Sequence, residues 1–219
     1  MTMTLDIISD PICPWCYIGK TKLDAALAQR PGHPFDIAWR PFQLNPDMAR
    51  AGMDRRAYLE AKFGGKDGAA QVYGRIEDTA RAAGLDVDFA RIDHTPNTID
   101  AHRALRWAYD EGRQGALADI LFDRYFRRGE DIGDADILAD AAAEAGLDRA
   151  LFARLLAGEA DRDTVAAEDS RAREMGVQGV PTFLIGGKYV VTGAQDVETW
   201  IKIIDEISDK TEQLMDNSS

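Results

Sequence analysis

Residues 10–16 read Asp10-Pro11-Ile12-Cys13-Pro14-Trp15-Cys16, and this stretch decides how the rest of the chain is interpreted. The short apolar run before it, residues 5–9, predicts a strand. Pro14 suits the first turn of a helix, where a missing N–H costs nothing. The chain is therefore expected to leave a strand and to begin a helix near Cys13, with Cys16 one turn further along.

The two cysteines are the only ones in a chain of 219 residues. A disulfide between them would close a loop too small to stabilise the fold much through chain entropy, so the pair points to chemistry. The partial positive charge at a helix N-terminus favours the thiolate of Cys13. We expect Cys13 to be exposed at the helix mouth and Cys16 to be buried. This asymmetry suits dithiol exchange, in which Cys13 attacks a substrate disulfide and Cys16 resolves the mixed disulfide.

Two other interpretations of the cysteine pair remain open at this level. A zinc site needs two further ligands, but the chain has no other cysteine, and its three histidines show no paired spacing. Two inert core thiols are the other alternative, although Pro14 and Trp15 at a helix start argue against it. We therefore expect no metal site.

Beyond the dithiol, the pattern predicts a strand at 35–39, a mainly helical block at 54–175, and a strand at 180–185. Gly186-Gly187 then predicts a hairpin turn into a return strand, and a last helix follows from Val197. Together the outer parts make one four-stranded mixed sheet packed by helices. The expected organisation is a discontinuous α/β domain (1–50 and 176–210), an all-helical insertion (51–175) and a flexible tail (211–219).

The composition limits the classes of partner. Acidic residues outnumber basic ones and the formal net charge is −12, which disfavours nucleic-acid binding. No apolar run approaches the roughly 18 residues of a membrane span, so no membrane association is expected. The first residues carry no basic start and no apolar segment of the secretory type, and we therefore expect a cytoplasmic protein.

The sequence resembles the DsbA family of thioredoxin-like oxidoreductases, and its FrnE-like branch in particular. The resemblance rests on residues 10–16 and on Gly179-Val180-Pro181-Thr182-Phe183. It extends to the segments 40–46, 97–103 and 186–195. It implies a thioredoxin-like fold, a cis-proline at Pro181 beside the dithiol, and a docking position for a bound peptide at Val180.

The resemblance also implies candidate groove residues, namely Pro14, Trp15, Asn97 and His102. His102 is the group there expected to titrate near neutral pH, and a hydrogen-bonded core histidine is an equal alternative for it. Arg40 and Gln43 are interpreted as ordinary polar surface. Asp6 and Asp10 lie upstream of the dithiol and are not assigned a catalytic role.

The function expected from these observations is thiol–disulfide exchange on protein or small-thiol substrates, with no bound cofactor and with glutathione as a candidate co-substrate. One alternative is a glutathione-dependent isomerase or transferase of the hydroxychromene-carboxylate isomerase or kappa class. The pattern of those families has serine where this chain has Cys13. A second alternative is a peptide-binding chaperone without enzymatic activity. The sequence leaves the oligomeric state, the physiological substrate and the direction of catalysis open.

Overall fold

The computed structural model describes the backbone of residues 2–216 and the side chains of residues 2–210. In chain order the elements are β1 (Met3–Ser9), α1 (Pro14–Ala28), β2 (Phe35–Pro41), β3 (Met53–Asp54), α2 (Arg55–Phe63), α3 (Lys66–Ala82), β4 (His94–Thr95), α4 (Ile99–Asp110), α5 (Gln114–Asp123), α6 (Ala135–Glu144), α7 (Arg149–Ala157), α8 (Arg162–Glu174), β5 (Thr182–Ile185), β6 (Tyr189–Thr192) and α9 (Val197–Asp216). A 3₁₀ turn covers Phe89–Arg91, and a π-helical segment, Arg124–Arg128, continues α5.

The four main strands form one mixed sheet in the order β2-β1-β5-β6. The strands β1 and β2 are parallel, as a strand–helix–strand unit requires, whereas β5 is antiparallel to both β1 and β6. This arrangement confirms the thioredoxin-like α/β fold. It also places the C-terminal end of β1, from which the dithiol segment emerges, beside the start of β5, because Ile8 pairs with Thr182.

The helix that carries the dithiol begins where the sequence predicts. Cys13 is the N-cap of α1 and Pro14 is its first residue, and no side chain caps the free N–H groups of this helix end. The backbone N–H of Cys16 donates to the carbonyl of Cys13 at 3.0 Å. The two cysteines are therefore held one turn apart on a regular helix.

The insertion shares its apolar core with the sheet domain. The ring of Tyr17 on α1 stacks on Phe122 of α5, with centroids 5.1 Å apart, and on Phe126 of the π-helical segment at 5.7 Å. Trp39 of β2 packs edge-on against Phe122 at 5.9 Å. Stacked and edge-on aromatic pairs of this kind add to the burial energy. The insertion is therefore packed directly on the dithiol helix and on the first half of the sheet.

Two expectations about the insertion and the tail are modified. The insertion is not all-helical, because β3 and β4 pair as a small antiparallel ladder between Met53–Asp54 and His94–Thr95. The helix α9 continues to Asp216, inside the segment predicted as a flexible tail, and residues 217–219 lie outside the described part of the chain. Among the described residues no helix has the length and apolar character needed to cross a membrane.

Candidate active site

Both thiols are free and buried: Cys13 is 3% exposed and Cys16 is 1% exposed. The expectation that Cys13 would be exposed at the helix mouth is therefore wrong. The reason is a loop far away in the sequence, which lies against the sulfur. The Sγ of Cys13 donates to the carbonyl oxygen of Val180 at 3.6 Å. Cys16 is buried as expected.

This covering loop precedes β5 and contains the cis peptide bond between Val180 and Pro181. The carbonyl of Pro181 accepts a hydrogen bond from the backbone of Gly193 at 2.8 Å, which ties the loop to the end of β6. On the other side, the loop approaches α1 closely. A Cβ added to Gly19 would lie 3.0 Å from Cγ of Pro181. The glycine therefore permits the close contact between the dithiol helix and the proline.

The environment of Cys16 opposes its ionisation. Burial raises the pKa of the Cys16 thiol well above its ordinary value, and the adjacent Cys13 raises it further. The hydroxyl of Ser9 and the backbone N–H of Asp10 act in the opposite direction, because both stabilise the thiolate. Since only a thiolate attacks a disulfide, Cys16 has to lose its proton inside the protein during exchange.

Asp10 is completely buried directly upstream of the dithiol. Its Oδ1 accepts from the backbone N–H of Ile12 at 3.2 Å and its Oδ2 accepts from that of Leu44 at 2.7 Å. Burial raises the pKa of Asp10 to about 7, although these hydrogen bonds and one from Thr98 lower it. The carboxyl group thus joins the dithiol loop to the loop after β2, and it titrates near neutral pH. The sequence alone predicts no catalytic role for Asp10.

His102 on α4 lies under the same loop, with Nε2 4.0 Å from Oδ1 of Asp10. Burial lowers the pKa of His102 to about 4, although a nearby carboxylate, Asp169, and a hydrogen bond to the backbone of Phe42 raise it. Of the two alternatives given for His102, the structure favours the buried core histidine, because a charged imidazolium is disfavoured in this environment. The Nε2 atom has no hydrogen-bond partner among the described residues.

The other predicted groove residues differ in their surroundings. Trp15 is 39% exposed at the rim, whereas Pro14 is buried. The amide of Asn97 donates to the Met48 carbonyl, and its oxygen accepts from Gln43 and from the backbone of Ile99. All of these are internal hydrogen bonds, so Asn97 fastens loops together.

The polar residues interpreted as surface separate into two groups. Gln43 is buried, and its backbone N–H donates to Asp169 at 2.7 Å, which corrects the surface interpretation. Arg40 is exposed and forms an ion pair with Asp6 across the parallel strand pair. Asp6 is therefore an ion-pair partner on the sheet. The burial of Gln43 could not be predicted from the neighbouring sequence, because it depends on contact with α8, which carries Asp169.

An apolar groove of about 530 Å³ borders the cis-proline loop. It is formed by residues 175–182 together with residues of β5 and β6, and Val190, 62% exposed, lies along it. The carbonyl of Val180 therefore contacts the Cys13 thiol, and Val180 and Pro181 both line this open apolar surface. Within residues 2–210 no group of three or more His, Cys, Asp or Glu side chains is arranged to hold a metal ion.

Comparisons with known proteins agree with this geometry. A family model for the DSBA-like thioredoxin domain matches residues 4–205. The crystal structure of a "probable DsbA oxidoreductase" from Streptomyces coelicolor is 33% identical, with a TM-score of 0.83 over 93% of this chain and 89% of that one. The uncharacterized protein YwbO of Bacillus subtilis is 27% identical over 211 residues, which cover 94% and 98% of the two chains.

The cytosolic disulfide reductase DsbM of Pseudomonas aeruginosa, in a structure with GSH, is 18% identical. Its TM-score is 0.68 over 94% of this chain and 99% of that one. Identity at this level shows a shared fold.

Proposed function

This chain belongs to the DSBA-like thioredoxin domain family, and from that premise we propose that it exchanges disulfides with thiol-containing substrates through Cys13 and Cys16. One observation carries the proposal. Two free thiols lie one helical turn apart, and the outer one contacts the carbonyl of Val180 next to the cis-proline. A buried pair of structural thiols would need neither the uncapped helix N-terminus nor this loop.

The reaction begins at Cys13. Its thiolate attacks one sulfur of the substrate disulfide, forms a mixed disulfide, and releases the other substrate sulfur as a thiolate, which takes up a proton. The thiolate of Cys16 then attacks Sγ of Cys13, so that the second substrate sulfur leaves with the bonding electron pair. The substrate disulfide is thereby reduced by two electrons and the Cys13–Cys16 pair is oxidised. In the opposite direction the same steps oxidise a substrate dithiol.

The groove beside Val180 and Pro181 supports a docking role for these residues. Backbone groups next to a cis-proline at the start of a strand are available to an extended peptide, and alternate side chains of such a peptide need apolar surface. We therefore propose proteins as substrates, and small thiols as a second class. Glutathione is proposed as a co-substrate because DsbM, which shares this fold, has been solved with GSH.

The direction of catalysis depends on the reduction potential of the pair relative to its compartment. We place the protein in the cytoplasm, where thiols are kept reduced, and therefore propose net reduction or isomerisation of disulfides. Equilibration of the pair in glutathione buffers measures the potential. A value more reducing than the glutathione pool supports reductase activity, and a strongly oxidising value contradicts it.

Trapping tests the assignment of the two thiols. Cys16→Ser removes the resolving thiol, so mixed disulfides with a scrambled protein substrate or with oxidised glutathione should accumulate on Cys13. The matched variant Cys13→Ser should trap nothing, although it removes one sulfur in the same way. The roles are refuted if both variants trap equally. A variant that carries both Cys13→Ser and Cys16→Ser has no thiol. If it still suppressed the aggregation of an unfolded protein, that result would instead support a peptide-binding chaperone.

A further inference from the structure

A second cavity, of about 220 Å³, lies between the sheet and the helical insertion, where β1 and β2 end. Residues of α4, α5 and α8 complete its wall, and neither cysteine is among the described residues that line it. An apolar cavity of about 150 Å³ is already large enough to hold benzene. This cavity can therefore hold one substituted aromatic ring.

Two buried polar side chains line the cavity, and each has an atom without a hydrogen-bond partner among the described residues. They are Ser9, through Oγ, and His102, through Nε2, and both residues are only 4% exposed. They belong to the same end of the cavity, because Nε2 of His102 lies 4.0 Å from Oδ1 of Asp10, the residue that follows Ser9. Buried polar atoms are normally hydrogen-bonded. This end of the cavity therefore calls for an occupant that supplies a hydrogen-bonding group.

The rest of the buried wall is mainly apolar and aromatic. Trp39 comes from β2, Leu105 from α4, and Ala118 and Phe122 from α5. The amide of Gln114 also lines the wall, but its oxygen and its nitrogen are both bonded to the backbone of Trp39, at 2.8 Å and 3.1 Å. Ring pairs add to the energy of apolar burial, so this wall favours an aromatic occupant.

The charged groups of the lining disfavour an anionic occupant. Arg40 forms an ion pair with Asp6, and Arg106 forms one with Glu168. Neither guanidinium is therefore free to bind a carboxylate. Asp110 adds a further negative charge to the same lining.

The chemistry of the two unpaired atoms selects a hydroxyl group on the occupant. Burial lowers the pKa of His102 to about 4, so the imidazole is neutral at neutral pH. The Nε2 atom of a neutral imidazole either donates or accepts, depending on the tautomer, and the hydroxyl of Ser9 does both. A hydroxyl group on the occupant also does both, and it therefore matches Ser9 and either tautomer of His102.

We propose that this cavity is a binding site for a small neutral phenol, with the aromatic ring against Trp39 and Phe122 and the hydroxyl group bonded to Ser9 and His102. The site is separate from the dithiol, and the proposal does not depend on the proposed function. The ligand enters from the exposed side of the lining, where the guanidinium of Arg40 lies 5.9 Å from the ring centroid of Tyr109.

Calorimetric titration of the reduced full-length protein with phenol tests the proposal, with toluene and benzoate as matched probes. Phenol should bind at one site with a dissociation constant of about 1 mM or lower, which a ligand of this size can reach. Benzoate should show no binding, because the cavity offers its carboxylate no free cation. Ser9→Ala should weaken the binding of phenol about three- to tenfold, as expected for one lost hydrogen bond. The same variant should not weaken the binding of toluene, which has no hydroxyl group.

Two leucine variants of α5 locate the site. Ala118→Leu fills the cavity and should abolish the binding of phenol, whereas Ala116→Leu, on the exposed face of the same helix, should not. If Ala118→Leu does not fold, crystals of the parent protein soaked with 4-bromophenol decide, because anomalous scattering locates the bromine. Bromine beside Trp39 and Phe122 supports the proposal. Bromine only in the groove beside Pro181, or at no position, contradicts it.

Two results in solution would overturn the phenol site. One is the absence of phenol binding to the parent protein, which would leave water as the partner of Ser9 and His102. The other is an affinity for phenol that Ser9→Ala does not change. A variant with both Cys13→Ser and Cys16→Ser should bind phenol as the parent protein does, so a failure of the proposed thiol chemistry leaves this test unaffected.

Discussion

Replacing His102 with asparagine should change the way in which stability depends on pH. The side chain is buried, and asparagine keeps a short donor for the Phe42 carbonyl while removing the group that can be protonated. In the unfolded chain a histidine has a pKa of 6.5, and in the folded protein that of His102 is about 4. The unfolded state therefore binds a proton more readily, and the contribution of His102 to stability is lost as the pH falls from 6.5 toward 4.

The size of the effect follows from the two pKa values. At about 1.4 kcal/mol per pKa unit, the interval between 6.5 and about 4 corresponds to about 3 kcal/mol. Asp10 acts in the opposite direction. Because its pKa is raised from 3.8 to about 7, the stability of the protein falls as the pH rises through that range, by about 4 kcal/mol. In the parent protein the two contributions nearly cancel between pH 4 and 6.5.

In His102→Asn the contribution of His102 is absent and that of Asp10 remains, so the stability of the variant should fall relative to that of the parent protein as the pH rises from 4 to 6.5. Urea unfolding followed by tryptophan fluorescence at several pH values measures this. The difference in unfolding free energy between the parent protein and the variant should change by about 3 kcal/mol between pH 4 and pH 6.5. His33→Asn, in a surface loop, corrects for the general effect of losing a histidine. A difference that stays constant over this pH range would refute the argument.

Three further predictions concern packing. Arg103→Lys should lower the unfolding free energy by about 3 kcal/mol in urea titrations, because a lysine cannot reproduce the guanidinium bonds to two carbonyls at the end of α7, both at 2.8 Å. Gly19→Ala should slow the reaction of Cys13 with 5,5′-dithiobis(2-nitrobenzoate), measured by the release of its coloured thiolate, because the added methyl group meets Pro181. Gly74→Ala, whose methyl group would meet nothing within 4 Å on α3, should raise stability by up to about 1 kcal/mol in the same urea titration and leave exchange unchanged. Phe122→Ala should lower the unfolding free energy by about 3–5 kcal/mol, because its ring packs on both Tyr17 and Trp39. Unfolding followed by fluorescence and circular dichroism should still show one transition, because Phe126 continues to join Tyr17 to the insertion.

The order of strands and helices could be predicted from the sequence because its signals are local. Pro14 and the two cysteines mark the start of α1, and Gly186-Gly187 marks the hairpin. These features do not depend on distant residues. The ladder of β3 and β4 has only two residues per strand, which is too short for an alternating pattern to be visible.

The candidate site could be predicted only in part. Cys13 is buried because Val180, 167 residues away, covers it. Asp10 looked like a loop residue, and its burial depends on a backbone N–H that comes from Leu44. The low pKa of His102 likewise results from enclosure by several elements, which residue types and spacing do not report.

The aromatic stack between α1 and the insertion has a consequence for the history and engineering of the fold. Tyr17 directly follows the resolving cysteine, and its outer face is covered by rings from the insertion. A shortened chain that joined residue 50 to residue 176 would expose this ring and Trp39 together beside the dithiol. Such a patch favours aggregation. The insertion is therefore not a removable module on a minimal redox domain, and any ancestral form without it would have needed a different surface on the dithiol helix.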